Sequence, residues 1–377
     1  CELEIYLNKI HTVFIFCSNS LTKNWKFEIS RWFPCANFTE FKKSESKLQI
    51  SNFTFLITPY SQMENFVKSL SENIPKNSIS VFDEAHKLRN QSAKVSRLSK
   101  LIKTNHKWLL TGTPLERDTK DIDTILKILN PGLSVNKLKN DEFLLKSRFK
   151  NITLRRIKKD VLHNMPDVKR RIHYVDLSDE QELAYKALLS KYKKTQSKEK
   201  IGILTELMIA GTIAPSGCSS KIEKALQICE LEVQKNNKVI IFSKFNHVLE
   251  KMTKSLKSAG LNSELVNGSF DESERSRRIS RFQLNDDCKV LVINLAVGSE
   301  GLTLTEANNV IFLNEAWNPS MNRQAEDRVN RLGQRKTVNI HVIRSYKTID
   351  MNLEKILEDK YHLENEYIDQ LINEIFS

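Results

Sequence analysis

The sequence of 377 residues predicts an α/β protein of two lobes in tandem, each a parallel sheet flanked by helices. Short, nearly all-apolar runs alternate with amphipathic stretches in the first third of the chain, and the same alternation restarts at residue 238. Strands that are apolar on both faces belong to sheets covered on both sides, which is the condition of a parallel sheet. In the first series, residues 12–16, 53–57, 79–82 and 108–110 read as buried strands. In the second, residues 238–242, 289–293, 309–313 and 338–343 do so, separated by helix-like segments such as 245–259.

The first lobe is expected over residues 1–135 and is incomplete at its N-terminus, and the second is expected over 221–350. Between them, residues 136–220 form a basic and helical inter-lobe segment. It holds a charged helical stretch at 179–200 and a small-residue break at 210–220 with Pro215 and Gly217. Residues 351–377 form a tail with leucine and isoleucine at helical spacing, expected to pack back on the second lobe.

A net charge of +13 and a pI near 9.3 create a positive field, whose usual partners are nucleic acid or an anionic membrane surface. No apolar run approaches the roughly 18 residues of a spanning helix, and no basic-then-apolar leader opens the chain. The expectation is an intracellular protein without a membrane partner, placed in the nucleus or in the nucleoid and cytoplasm according to its host. Cysteines at 1, 17, 35, 218, 229 and 288 show neither a C-x-x-C pair nor zinc-ligand spacing with histidine, so they read as reduced thiols.

The chemistry concentrates in two places. Residues 79–82 deliver Asp83 and Glu84 at a strand's carboxyl end, where open parallel sheets bind ligands. Nucleotide hydrolysis requires one carboxylate for magnesium and one for water, so Asp83 is placed to hold the ion and Glu84 to orient or deprotonate the attacking water. Far downstream, Gln324, Arg328 and Arg331 are spaced i, i+4, i+7, and a helix running to a stop at Gly333 aligns them on one face toward an anion. An exposed charged helix with i,i+3 and i,i+4 pairs is the alternative reading of that segment alone. The turn Leu110-Thr111-Gly112-Thr113-Pro114 is either a sensor of nucleotide state or a plain turn. A glycine-containing loop over 293–305 follows another strand and lets backbone amides approach phosphate oxygens.

Together these segments make the sequence similar to the Swi/Snf-type ATPases of helicase superfamily two, over nearly the whole chain. In the first lobe the resemblance rests on Phe16-Cys17-Ser18-Asn19-Ser20-Leu21 with Asn24-Trp25, on Leu56-Ile57-Thr58-Pro59-Tyr60, and on Leu110 to Leu115. The DEAH box with its extension, Asp83-Glu84-Ala85-His86-Lys87-Leu88-Arg89-Asn90, is its most specific part. Leu154 to Val161 followed by Met165-Pro166 resembles the family's inter-lobe segment. Asn267-Gly268-Ser269 with Arg275, Ile279 and Phe282, then Ala316-Trp317-Asn318-Pro319 and Gln324 to Gln334, resemble its second-lobe signatures.

The resemblance implies two RecA-like lobes with a nucleotide cleft between them, ATP and magnesium as cofactors, double-stranded DNA as partner, and DNA-bound proteins as substrate. It implies Arg328 and Arg331 as arginine fingers with Gln324 nearby, Asp83 and His86 in the nucleotide-binding set, and Gly301 in the loop that couples nucleotide to DNA. It also implies Thr58, Thr305 and Trp317 near the DNA track, with a core tryptophan as the other reading of Trp317. The alternatives to a translocase are a strand-separating helicase and a DNA-binding scaffold whose ATPase has decayed.

The sequence departs from the family in one large respect. No glycine precedes Gly112 and none of the ten glycines is followed by lysine, so the phosphate loop is missing, and a truncated protein with little ATP turnover of its own is expected. Glu116-Arg117 stand where the family usually has Gln-Asn, and Ser299-Glu300 interrupt the second-lobe glycine loop.

Residues 146–171 carry ten Lys or Arg, Lys158 among them, against two Asp, which suits a phosphate-tracking surface. Neutralising several of these cations is expected to flatten the salt dependence of DNA binding, read as the slope of log affinity against log salt; an unchanged slope excludes the segment from the contact.

Overall fold

The computed structural model describes residues 12–42, 54–70, 74–75, 77–88, 93–112, 119–129, 152–154, 156, 162, 165–195, 200–298, 301–353 and 355. The chain divides into two compact units, with the boundary at residue 154, and each is described by itself.

The first unit runs β1 (Thr12–Cys17), α1 (Thr22–Trp32), β2 (Asn37–Glu40), β3 (Thr54–Pro59), α2 (Met63–Leu70), β4 (Ser78–Phe82), α3 (Lys94–Leu101), β5 (His106–Leu109) and α4 (Thr119–Leu129). Its five strands pair in parallel in the order β2-β3-β1-β4-β5. Side chains alternate between two buried layers, as the pleat requires. Phe14, Phe16, Leu56 and Phe82 pack around Phe66 on one face, while Val13, Ile15, Phe55, Ile57, Ile79 and Val81 pack on the other. Phe16 stacks on Phe82 at 4.9 Å, and Phe66 meets Phe14 and Phe16 edge-on at 5.3 and 5.1 Å. Removing any one of these rings costs about 3–5 kcal/mol by lost transfer energy and cavity formation.

The second unit contains β6 (Val168–Val175), α5 (Asp179–Lys194), α6 (Lys200–Ala210), α7 (Ser220–Gln234), β7 (Val239–Ser243), α8 (Asn246–Ser258), β8 (Ser263–Val266), α9 (Glu272–Leu284), β9 (Val290–Asn294), α10 (Leu295–Gly298), β10 (Asn309–Phe312), α11 (Pro319–Glu326) and β11 (Val338–Ser345). The parallel order is β6-β11-β10-β7-β9-β8. Ile240, Phe242, Leu291, Ile293, Val310 and Phe312 face one core layer, and Val239, Ile241, Val290, Val292 and Ile311 the other. Helix starts are set by local chemistry: a Ser178–Gln181 capping box opens α5, Asp271 accepts from the Glu274 amide at 2.8 Å at α9, and Asn318 with Pro319 opens α11. Gly298 is a fixed requirement, since a Cβ there would lie 2.5 Å from Phe242 Cε1.

Residues 168–175, expected within the inter-lobe segment, form an edge strand of the second sheet. The reason it does not read as a strand is physical: its outer positions are mostly exposed and charged, so the two-faced apolar signature is absent. Helices α5 and α6 also belong with this unit. Tyr185 Oη accepts from the Ile349 amide at 2.7 Å, and Ser345 Oγ donates to the Gly211 carbonyl at 2.7 Å. Leu353, in the expected tail, packs with Ile349 on Met208; residues 354 and 356–377 lie outside the described residues. Lys221, 1% exposed, donates to Asp350 Oδ2 at 2.6 Å and to the Leu313 carbonyl at 3.0 Å, which ties α7 to β10 and to the chain after β11.

His173 on β6 and His341 on β11 meet at 2.9 Å between Nε2 and Nδ1. Burial, reinforced by His173 and Arg171, pushes the His341 imidazole down to about 4 from an ordinary 6.5. The folded state therefore keeps this ring neutral where the unfolded chain would bind a proton, so the stability it contributes is complete above pH 6.5 and is lost as pH falls toward 4. Urea unfolding across that window should show the second unit losing roughly 2–3 kcal/mol, and His341→Phe should remove most of the slope.

Candidate functional site

In the first unit the chain leaves β1 toward β2 on one side and leaves β4 toward β5 on the other, so the carboxyl ends of β1 and β4 form the topological switch point of the sheet. Asp83 and Glu84 emerge there, directly after Phe82, as expected. The Asp83 amide donates to the Phe16 carbonyl at 2.8 Å, which fixes the start of the turn to β1. Trp25 Nε1 donates to Asp83 Oδ2 at 2.9 Å, and the Glu84 amide donates to Oδ1 at 2.9 Å. Tyr60 Oη donates to the Asp83 carbonyl at 2.6 Å. Residues of α1, of the turn after β3, and of β1 thus converge on Asp83, Trp25 on its carboxylate and Tyr60 and Phe16 on its backbone.

Glu84 has φ 50°, a left-handed backbone that an L side chain adopts at a cost of about 1–3 kcal/mol. Its neighbours hold it there: the Ala85 amide donates to Leu110 at 2.8 Å, Leu110 donates to Phe82 at 2.9 Å, and the Lys87 amide donates to the Glu84 carbonyl at 3.0 Å. His86 Nδ1 lies 3.0 Å from Glu84 Oε2, and Lys87 Nζ reaches Ser18 Oγ at 2.6 Å. Burial pushes the Asp83 carboxyl above its ordinary value; the Trp25 hydrogen bond opposes this and the Glu84 charge adds to it. A half-desolvated carboxylate beside a second one gains from a hard divalent cation. Asp83 therefore suits magnesium, which takes one or two protein carboxylates and completes its shell with phosphate and water. Cys17, raised to about 12 by burial and by Asp83, stays a neutral thiol.

In the second unit the predicted helix does not run to Gly333. Helix α11 ends at Glu326, so Gln324 is helical while Arg328 and Arg331 sit in the turn that follows. Tertiary bonds take the backbone acceptors that a longer helix would use. The Leu304 amide donates to the Arg328 carbonyl at 2.9 Å. Gln334 Nε2 donates to the carbonyls of Thr305, Ala307 and Val329 at 3.1, 2.7 and 3.3 Å. The Val329 side chain, 0% exposed, is drawn into the core. These contacts bring the loop of Gly301 and Thr305 against the two-arginine turn. Gly301 has φ 66°, a conformation glycine adopts without strain.

Other predicted positions fall elsewhere. Thr58 is fully buried on β3 beside Phe16, and among the described residues its hydroxyl finds no hydrogen-bond partner. Trp317 is half-buried, with Nε1 donating to Met208 Sδ at 3.1 Å, so the core reading accounts for that contact. Lys158, Thr113 and Pro114 lie outside the described residues. Sequence reasoning gave no role to Trp25, Tyr60 or Gln334. The signal was present only as position within motifs, because each acts through a contact distant in sequence.

Two RecA-like lobes, one with a DEAH box at its switch point and the other with a two-arginine turn braced on a glycine loop, define the ATPase core of helicase superfamily two. The SNF2-related domain model matches residues 6–230 and the helicase conserved C-terminal domain model matches residues 220–333, and the chain belongs to the SNF2-related family. It is 27% identical over 94% of its length to an uncharacterized ATP-dependent helicase of Mycoplasma pneumoniae, and 26% identical over 96% to the mouse chromodomain-helicase-DNA-binding protein 1-like. The chain spans 37% and 45% of the length of those two relatives. A Sulfolobus solfataricus SWI2/SNF2 ATPase core solved in complex with dsDNA is 26% identical, with a TM-score of 0.47 over 100% of this chain and 86% of that one.

Glu84→Gly should relieve the backbone strain and stabilise the first unit by about 1 kcal/mol in urea unfolding while removing the carboxylate. Glu84→Ala, which loses the same contact with His86 but keeps the φ cost, is the reference; a Glu84→Gly no more stable than Glu84→Ala shows that the φ of Glu84 carries no strain.

Proposed function

We propose that this protein is a DNA-dependent ATPase that uses ATP and magnesium to step along double-stranded DNA and to displace or remodel proteins bound there. The observation that carries the reading is the Asp83-Glu84 pair, held at the switch point with Glu84 in a left-handed backbone. Strained, over-determined backbone of this kind concentrates where chemistry is done. Membership of the SNF2-related family and the net charge of +13 support the same reading.

In this reading Asp83 holds magnesium, with His86 beside it in the nucleotide set. The bound ion neutralises charge on the phosphates. Glu84 orients the attacking water and takes its proton, while Gln324, Arg328 and Arg331 offset charge that develops on the transferred phosphoryl group. The Gly301 loop, bonded to the Arg328 turn through Leu304, relays that state toward Thr305, Trp317 and Lys158 on the DNA side; Thr58, being buried, supports that surface from within. Each cycle of binding, hydrolysis and release is converted into a step along the DNA.

One observation favours a second reading, a DNA-binding scaffold with a decayed ATPase: none of the ten glycines is followed by the lysine that holds β and γ phosphates. Both readings are tested by ATP turnover with and without double-stranded DNA, on this chain and on a form extended by the upstream coding sequence. The translocase reading expects DNA-stimulated turnover in the extended form, little in this chain, and a loss of about 100-fold or more in Glu84→Gln. No turnover in either form selects the scaffold. Strand separation without translocation in a displacement assay selects a conventional helicase.

A further inference from the structure

The basic run that ends at Arg171 reads as a phosphate-tracking surface, yet one of its cations is committed elsewhere. Arg170 on β6 extends one guanidinium nitrogen to Glu315 Oε1 at 2.6 Å and the other to Glu326 Oε1 at 2.5 Å. Glu315 follows β10 and its second oxygen is held by Arg344 Nη2 at 2.7 Å. Glu326 is the last residue of α11, and its carbonyl accepts from the amides of Val329 and Asn330 at 3.0 and 2.9 Å, the bonds that shape the turn carrying Arg328. The far side of that turn is fixed by Gln334 and by Leu304.

We propose that Arg170 is a positioning residue for the two-arginine turn, locking the end of α11 to β6 and β10 by bridging Glu326 and Glu315. The inference rests on the reading of Arg328 and Arg331 as phosphate-facing groups and names a further residue of that site. A planar fork reaching carboxylates on two separate elements is a task for arginine; a lysine ammonium is a compact point charge without that fork. Without Arg170, Glu326 is left close to the like charges of Glu315 and Asp327 in a desolvated setting, and the helix end has reason to move.

The first test needs no catalysis. Hydrogen exchange on the full chain is compared for wild type, Arg170→Met and Glu326→Met; the second variant removes the tether's acceptor without stranding a carboxylate and leaves Arg170 on Glu315. Exchange over residues 327–334 should rise about tenfold in both, with β7 and β9 unchanged. Turn exchange equal to wild type in a folded variant overturns the proposal. In the N-terminally extended protein, Arg170→Met should lower kcat about tenfold with KM for ATP within about twofold. It should cost nothing further in an Arg328→Ala background. Losses that multiply in the double variant mark a general packing defect and also overturn it. If the wild type hydrolyses no ATP, the ATPase reading fails while the exchange data still decide whether Arg170 holds the turn.

Discussion

Both lobes depend on holding carboxylates at or near the carboxyl ends of apolar parallel strands, and each is made tolerable by donors drawn from distant elements. In the first unit the Asp83 carboxylate accepts from Trp25 and from the Glu84 amide. In the second, Glu315 is answered by Arg170 and Arg344, and Asp350 by Lys221 and the Ser345 amide. A buried charge with its partner removed costs about 3–5 kcal/mol, so these donors are as much part of the sites as the carboxylates. The sheet supplies a rigid rim, and the ion pairs and caps decide which loop conformation that rim supports.

The two sites differ in how they are held. The DEAH turn is fixed by short-range strain and long-range donors acting together, with Glu84 in a conformation it would not choose alone. The arginine turn has no outlier of this kind at Arg328 or Arg331; it is set by one glutamine amide that gathers three carbonyls and by the end of α11. Rigid positioning of groups that act on charge is worth more than their number, because a displacement of about 1 Å can cost on the order of 100-fold in rate.

The strands apolar on both faces were legible in sequence, since nothing but a doubly covered sheet explains runs such as that of β7. The edge strand β6 was not, because Lys169, Arg170 and Arg171 put charge on both of its faces, and the pairing partner that makes it a strand lies far along the chain. Asp83 and Glu84 could be placed at a strand end from local pattern alone. Their brace could not, because Trp25 and Asp83 are joined only by the fold. The helix expected through Arg331 follows correctly from local spacing and stops early for a reason that spacing cannot contain: Leu304 and Gln334 compete for the carbonyls.

Strand β6 is the first strand of the second unit and β11 the last, and they lie side by side, with β11 between β6 and β10. During synthesis on the ribosome, β6 emerges early and has no partner until residue 345 has been made. The charges along it then serve a second purpose, separate from the ion pairs that Arg170 makes in the folded unit. They keep an unpaired ribbon soluble and discourage it from joining the wrong neighbour while it waits.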